Sequence, residues 1–135
     1  MSSKLILLID QDEGTREVLH ICLQRLAGWH VVSIDGYPFE LKALLVGQPD
    51  VILLNALMPK FDGLGFIQKF IVKKLKEHPL THSIPILLIT DQANWFTSEQ
   101  LRSLGIEGAI AKPFNPITLP TQIAHILNWQ PEPRS

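Results

Sequence analysis

One cysteine in 135 residues excludes the disulfide-stapled class of small domains. Cys22 has no partner for an intramolecular disulfide, and no zinc site with several cysteine ligands can form. Among the histidines only His78 and His82 have a ligand-like spacing, and Pro79 between them disfavours the helix that such a pair needs. We therefore expect no metal site of this kind, and a reducing, cytoplasmic environment for the chain.

An excess of one charge and long apolar runs are also missing. Twelve basic and thirteen acidic residues give a formal net charge of -1, without the basic footprint of a nucleic-acid binder. The densest basic run, residues 73–76, is typical of a solvated helix face. The first apolar run, Leu5–Ile9, is too short to cross a membrane and ends at Asp10. The sequence therefore predicts neither a nucleic-acid partner nor a membrane partner.

Apolar residues are plentiful. They make up 46% of the chain, and charged residues make up 19%. This composition is sufficient for one sizeable core and has too little charge for an intrinsically disordered chain. We expect one domain over residues 1–129, followed by a tail or the start of a linker over residues 130–135.

Five short aliphatic segments are typical of strands that helices cover on both faces. They are Leu5–Ile9, Val31–Ile34, Val51–Leu54, Pro85–Ile89 and Gly108–Ala111. Each segment is followed by room for a helix, and right-handed crossovers then bring the strands into one sheet. The pattern predicts an α/β fold with a doubly wound, five-stranded parallel sheet and five helices.

Several residues mark the expected helix ends. Gly28 and Gly47 fall where the first two helices should stop. Thr97–Gln100 is a capping-box sequence, and Asn115 followed by Pro116 predicts the start of the last helix. The first helix is expected to have one apolar face, formed by Val18, Leu19, Ile21, Cys22 and Leu26.

Polar residues stand where the predicted strands end. They are Asp10 and Gln11 after the first strand, Asn55 after the third, Thr90 after the fourth and Lys112 after the fifth. In a doubly wound sheet, ligands bind beyond the carboxyl ends of the strands. These side chains are therefore the candidate site.

These fragments, in this order, resemble the receiver domain of two-component response regulators, and chemotaxis regulators in particular. The resemblance covers nearly the whole chain. It is carried by Leu8-Ile9-Asp10 with Arg16, by Pro49–Leu54, by Met58-Pro59 with Asp62-Gly63, by Ile84-Pro85, and by Lys112-Pro113-Phe114. It implies a flavodoxin-like receiver fold, a role in phosphorelay signal transduction in the cytoplasm, and no enzymatic activity of the chain's own.

The resemblance also implies a chemistry that this sequence departs from. In the family, an adjacent acidic pair and a third-strand aspartate bind magnesium, and that aspartate accepts a phosphoryl group. Here the acidic pair is Asp10 and Gln11, and the phosphoacceptor position holds Asn55. The phosphoryl-contact positions hold Thr90 and Lys112. We therefore expect a site that is degenerate for phosphorylation, with no catalytic residue and with magnesium binding weak or lost.

The switch position of the family supports the same expectation. It usually holds tyrosine or phenylalanine, and here it holds Ala109. The sequence thus predicts a pseudo-receiver that acts as a protein interaction module. Its expected partner is a histidine kinase, another response regulator or an output domain, and a homodimer is a further expectation.

Two alternative functions stay open. In one, another aspartate such as Asp62 or Asp91 accepts the phosphoryl group. In the other, the crevice binds a small anion or another effector through Lys112 and Thr90. Lys112 has a structural interpretation as well, as the partner of Asp10 in a buried ion pair.

Two further features bear on partner binding. Trp95 and Phe96 precede the capping box, and they form either an exposed interface anchor or a hydrophobic staple under the helix. Between Gly63 and Pro85 the chain is about five residues longer than is common in the family. This extra length predicts a longer helix after the third strand, which offers a partner surface of its own.

Overall fold

The computed structural model describes residues 3–35, 48–55, 66–91, 93 and 96–129. Five strands form one parallel sheet in the order β2-β1-β3-β4-β5. The strands are β1 (Leu5–Asp10), β2 (His30–Ile34), β3 (Val51–Asn55), β4 (Ile86–Thr90) and β5 (Gly108–Ala111). The described residues also form four helices: α1 (Glu13–Ala27), α2 (Phe66–Glu77), α3 (Ser98–Ser103) and α4 (Leu119–Ile126). The predicted flavodoxin-like α/β fold is confirmed.

Some predictions fall outside the described residues. The helix expected between β2 and β3, with its end at Gly47, is one of them, and the tail at 130–135 is another. Within the described part of the chain, no helix is long and apolar enough to cross a membrane.

The sheet separates two apolar layers because successive side chains of a strand point to opposite faces. Leu7 and Ile9 of β1 belong to one layer, and Ile6 and Leu8 belong to the other. Every residue of β3 and β4 is buried. Continuous burial on both faces explains why these strands are read from the sequence as unbroken aliphatic runs.

The first helix ends where its sequence predicts, at Gly28, and its start is capped. Asp12 is its N-cap, and the carboxylate of Asp12 accepts a hydrogen bond from the backbone N–H of Thr15 at 2.9 Å. Gly28 ends the helix in a left-handed conformation, with φ of 69°. The apolar face is divided, however: Leu19 and Cys22 are buried, whereas Val18 and Ile21 are about half exposed at 49% and 52%. The single apolar face predicted for this helix was therefore wrong in part.

Of the predictions for the two later helix starts, one is confirmed and one is wrong. The capping box of α3 is confirmed, since the hydroxyl of Thr97 accepts from the Gln100 N–H and the Gln100 side chain accepts from the Thr97 N–H. The start predicted at Asn115 was wrong because α4 begins at Leu119. The Asn115 side chain instead accepts the N–H of Ile117 at 3.0 Å, which is a turn that precedes the helix.

The amino ends of the strands are closed by aromatic packing. Trp29 is 1% exposed, and its ring meets that of Trp129 edge to face at a centroid distance of 5.3 Å. The ammonium group of Lys4 lies 4.8 Å from the centroid of the Trp129 ring. Trp129 therefore packs the end of the chain after α4 against the start of β1 and β2.

Candidate functional site

The candidate site is built on the last residues of two neighbouring strands. Asp10 ends β1 and Asn55 ends β3, and the two are paired in the register of the sheet. Asp10 is 1% exposed and Asn55 is 7% exposed. Paired residues on adjacent strands lie about 4.8 Å apart. The fold therefore brings these two side chains together in a buried position.

Backbone and helix groups fix Asp10. Its carboxylate oxygen Oδ1 accepts a hydrogen bond from the N–H of Asp12 at 2.8 Å. The guanidinium of Arg16 donates to the Asp10 carbonyl oxygen at 2.8 Å. The carboxyl group is thus tied to the first turn of α1, which also explains the place of Arg16 in the sequence motif.

Two oxygens at this position lack a hydrogen-bond donor. Within the described residues, neither Oδ2 of Asp10 nor Oδ1 of Asn55 has a hydrogen-bond partner, and both are buried. A buried polar group without a partner costs about 1–3 kcal/mol. Such groups are uncommon in folded proteins, and two of the three found among the described residues lie together at this edge, which makes it a candidate site; the third is Nε1 of Trp29, at the amino ends of the strands.

The surroundings of Asp10 disfavour its charged form. Burial raises the pKa of this carboxyl group above its ordinary value, although the Asn55 amide, the N–H of Asp12 and the charge of Lys112 all act to lower that pKa. Burial is the largest of these influences. A site with a second and third carboxylate close by would need a cation to hold all of them ionised.

The two residues that follow Asp10 in sequence do not share its burial. Gln11 is exposed. Asp12 caps α1, and its hydrogen bonds with the side chain and backbone of Thr15 lower the pKa of its carboxyl group. Asp12 therefore serves the helix as its N-cap.

Thr90 and Lys112 lie together at the ends of β4 and β5. Thr90 is fully buried, and its carbonyl oxygen accepts the Lys112 N–H at 2.8 Å. The Lys112-Pro113 peptide bond is cis. Lys112 is half-buried. In the described part of the chain no ion pair within 4.0 Å joins Lys112 to Asp10, so the predicted buried ion pair does not form and Lys112 acts on Asp10 by longer-range attraction.

The remaining predicted residues have mixed placements. Ala109 pairs with Leu88 in the sheet and packs against the core with its small side chain. Phe96 is half-buried against the same core layer, as a staple under α3 would be. Asp91 is exposed. Trp95 and Asp62 lie outside the described residues.

A cavity of about 720 Å³ opens beside this crevice, and sequence reasoning missed it. Its walls include the polar residues Asp12, Asp91 and Lys112 and the apolar residues Val18, Phe114 and Pro116. The Sγ atom of Cys22 lies 2.8 Å from the carbonyl oxygen of Pro116 and donates to it, which joins α1 to the loop after β5. Because these residues are 94 positions apart, no local pattern in the sequence could indicate the cavity.

The donors at the crevice do not fit a magnesium ion. Mg²⁺ requires hard oxygen ligands in an octahedral arrangement and commonly binds through one or more carboxylates. The strand ends offer one buried carboxylate, on Asp10, and one buried amide, on Asn55, while Gln11 is exposed. Among the described residues, no group of three or more His, Cys, Asp or Glu side chains could hold a metal ion.

Comparison with known proteins places this geometry in a family. The sequence matches the model of the response regulator receiver domain over residues 6–124. The chain belongs to this family. Receiver domains act in two-component signalling, are generally non-enzymatic, and interact with histidine kinases and output domains.

The receiver domain is similar to curated and solved relatives. It is 27% identical over 127 residues to the phosphate regulon transcriptional regulatory protein PhoB of Pseudomonas aeruginosa, covering 94% of this chain and 53% of that protein. It is 29% identical to the alkaline phosphatase synthesis transcriptional regulatory protein PhoP of Bacillus subtilis, covering 93% of this chain and 49% of that protein. The chain thus spans about half the length of the curated relatives it matches.

Solved structures support the fold. A putative response regulator from Chloroflexus aurantiacus has a TM-score of 0.72 and 28% identity, with 94% of this chain and 99% of that one covered. The chemotaxis response regulator CheY4 of Vibrio cholerae has a TM-score of 0.73 and 23% identity, with 93% and 99% covered. The second likeness concerns the fold alone.

Proposed function

We propose that this receiver domain works without phosphorylation, as a protein interaction module in two-component signalling. The observation that carries the proposal is Asn55, buried at the end of β3 and paired with Asp10. This is the position from which the family's aspartate attacks a phosphoryl group. A neutral amide oxygen is a poor nucleophile, and its attack does not produce the acyl phosphate of an aspartate.

The charge at the crevice supports the same proposal. With Asn55 and Gln11 in place of aspartates, Asp10 is the one carboxylate left of the family's three. Without a metal ion, nothing neutralises the charge that would develop on a transferred phosphoryl group. Magnesium binding at this site is therefore weak or lost, and the domain needs no cofactor.

Ala109 lacks the large side chain with which the family responds to a bound phosphoryl group. In the family a large ring at this position moves toward the residue equivalent to Thr90. The methyl group of Ala109 cannot fill that space. We expect the domain to stay in one conformation, so that its output depends on the concentration of its partner and not on a shift between two states.

Exposed apolar side chains on α1 and after β5 offer a contact surface. Val18 and Ile21 on α1 are 49% and 52% exposed, and Ile117 after β5 is 75% exposed. Val18 also lines the cavity beside the crevice, together with Pro116, the neighbour of Ile117. Exposed apolar clusters of this kind are common at protein interfaces. The partner is a histidine kinase, another response regulator, an output domain or a second copy of this chain.

Treatment with acetyl phosphate and magnesium tests the proposal. We expect the intact mass of the protein to stay unchanged. The control is the variant Asn55→Asp/Gln11→Asp, in which the new carboxylate can attack the phosphorus atom and release acetate. This variant should gain the mass of one phosphoryl group in a magnesium-dependent reaction. A phosphoryl adduct on any aspartate of the natural sequence, Asp62 and Asp91 included, would contradict the proposal and favour an alternative acceptor.

A ligand sensor is the second candidate function, and the 720 Å³ cavity favours it. Two carboxylates, Asp12 and Asp91, share its walls with Lys112, so the charge suits an amine or a neutral ligand better than a small anion. A thermal-shift screen of amines and of phosphate tests this candidate. Stabilisation that is lost in Lys112→Met or Asp91→Asn would support it, and no stabilisation by any compound would reject it.

A further inference from the structure

The connection between β3 and β4 ends in a compact turn. After α2, the N–H groups of Thr81 and His82 donate to the carbonyl of His78 at 3.1 and 2.8 Å. The N–H of Ile84 donates to the carbonyl of Thr81 at 3.0 Å. Thr81 is 1% exposed. The turn is therefore folded structure with its own buried residue and not a loose loop.

Lys76 connects this turn to α3. Its ammonium group donates to the carbonyls of His82 and Ile84 at 3.3 and 3.1 Å. Its stem crosses Gly105, where an added Cβ would come within 2.9 Å of the Lys76 Cγ, and Gly105 has a φ of +86°. A side chain at residue 105 would therefore displace Lys76. The Lys76 side chain is therefore held both at its ammonium group and along its stem.

A groove of about 540 Å³ lies along the Lys76 side chain. We call it the α2–α3 groove, and it is lined by Val72, Lys73, Lys76 and Glu77 from α2 and by Arg102 and Leu104 from α3 and the residue that ends it. Because Lys76 is fixed and Val72 is buried in the core, the groove is present before any partner binds. A preformed groove loses less conformational entropy on binding than a flexible surface does.

The charge of the groove is opposite to that of the chain. Three cationic side chains, Lys73, Lys76 and Arg102, lie there with the carboxylate of Glu77, while Glu107 attracts Lys76 from nearby. Three cations against two carboxylates leave an excess of one positive charge, whereas the whole chain has a formal net charge of -1.

Two of these cations are available to a partner. Lys73 is 73% exposed and lies 3.8 Å from Glu77 in a solvated pair, which contributes little to stability. Arg102 is exposed, and in the described part of the chain it forms no ion pair. Its planar guanidinium suits bidentate binding of a carboxylate.

We infer that the α2–α3 groove binds an acidic, extended segment of a partner protein. Carboxylates of the segment would pair with Lys73 and Arg102, and an apolar side chain between them would cover Leu104. Glu77 and Glu107 disfavour a nucleic-acid backbone, whose phosphates would meet both carboxylates. The inference shares with the proposed function only the role in protein binding and does not depend on Asn55.

A labelled peptide of alternating Glu and Leu is the probe, and fluorescence anisotropy measures its affinity. The test variant is Lys73→Gln/Arg102→Gln. The matched control is Lys74→Gln/Arg25→Gln, which removes the same two charges outside the groove. We expect the test variant to bind the peptide about tenfold more weakly than the natural sequence and the control to stay within about twofold.

Amide chemical shifts locate the binding site independently of affinity. We expect the peptide to shift the resonances of residues 72–77 and 102–105, and the Asn55→Asp/Gln11→Asp variant to bind as the natural sequence does. Failure of this inference is thereby distinct from failure of the proposed function. Equal weakening in both charge variants, shifts elsewhere in the domain, or no binding of the peptide would overturn the inference.

Discussion

The two ends of the sheet bury different kinds of side chain. At the amino ends of the strands, Trp29 and Trp129 pack edge to face, and Asp50 accepts the Leu5 N–H at 2.8 Å, while Nε1 of Trp29 is buried without an acceptor among the described residues. At the carboxyl ends, one oxygen of Asp10 and one of Asn55 are buried without a donor among the described residues. Packed aromatic rings therefore fill one end, whereas an unpartnered carboxylate oxygen and an unpartnered amide oxygen lie together at the end where the family has its chemistry.

Removing the Trp29 ring should have the largest effect on stability. We expect Trp29→Ala to lower the free energy of unfolding by about 3–5 kcal/mol, because it leaves a cavity in a fully buried position. Urea denaturation followed by circular dichroism measures the change. Val32→Ala, at a residue that is 44% exposed, is the control. A loss of stability no larger than that of the control would show that the Trp29 ring does not stabilise the amino end of the sheet.

Restoring an aspartate at residue 55 should destabilise the carboxyl end of the sheet. We expect Asn55→Asp to lower the free energy of unfolding by about 1–3 kcal/mol without a divalent ion, because it adds a second buried carboxylate beside Asp10. Magnesium should raise the melting temperature of Asn55→Asp/Gln11→Asp and leave that of the natural sequence unchanged. Magnesium-dependent stabilisation of the natural sequence would contradict the proposed loss of the metal site.

The smallest effect is expected from the pH dependence of Asp10. The pKa of this carboxyl is raised in the folded protein, so the folded state binds a proton more readily than the unfolded chain does. Stability should therefore fall as the pH rises from 3.8, the ordinary pKa of an aspartate, through the raised pKa of the folded state, and then level off. We expect Asp10→Asn to be more stable than the natural sequence near pH 7 by about 1 kcal/mol, and this gain to shrink as the pH approaches 4.

Urea denaturation of both proteins across that pH range measures the difference and cancels the titration of the other carboxylates. This subtraction matters most for Asp12. Its pKa is lowered in the folded protein, so its titration changes the free energy of unfolding in the direction opposite to that of Asp10. A gain that is the same at all pH values would show that Asp10 is not the source.

The sequence predicts the fold better than it predicts the site. Strands β1, β3 and β4 are buried on both faces, so their aliphatic runs identify them without any knowledge of contacts. The caps of α1 and α3 also depend on residues within one turn. The start of α4 was misplaced because Asn115 and Pro116 can form either a helix cap or a turn, and only the packing of the loop decides between them.

The site is harder to predict because its properties depend on distances between strands. The residue types at positions 10, 55, 90 and 112 indicate the candidate crevice, and the register of the sheet brings Asp10 and Asn55 together. The missing ion pair between Lys112 and Asp10 depends on side-chain positions that no spacing in the sequence specifies. The same holds for the half-exposed Val18 and Ile21, because their burial depends on where α1 meets the loop after β5.

The contact of Trp129 with Trp29 and Lys4 has a practical consequence for anything joined to residue 130. It anchors the chain at the end of the sheet opposite Asn55, and a five-residue strand separates the two ends by roughly 17 Å. A fluorophore, an affinity tag or a surface linker attached there would leave the crevice facing solution. Measurements on an immobilised form of this protein would therefore report on an unobstructed crevice.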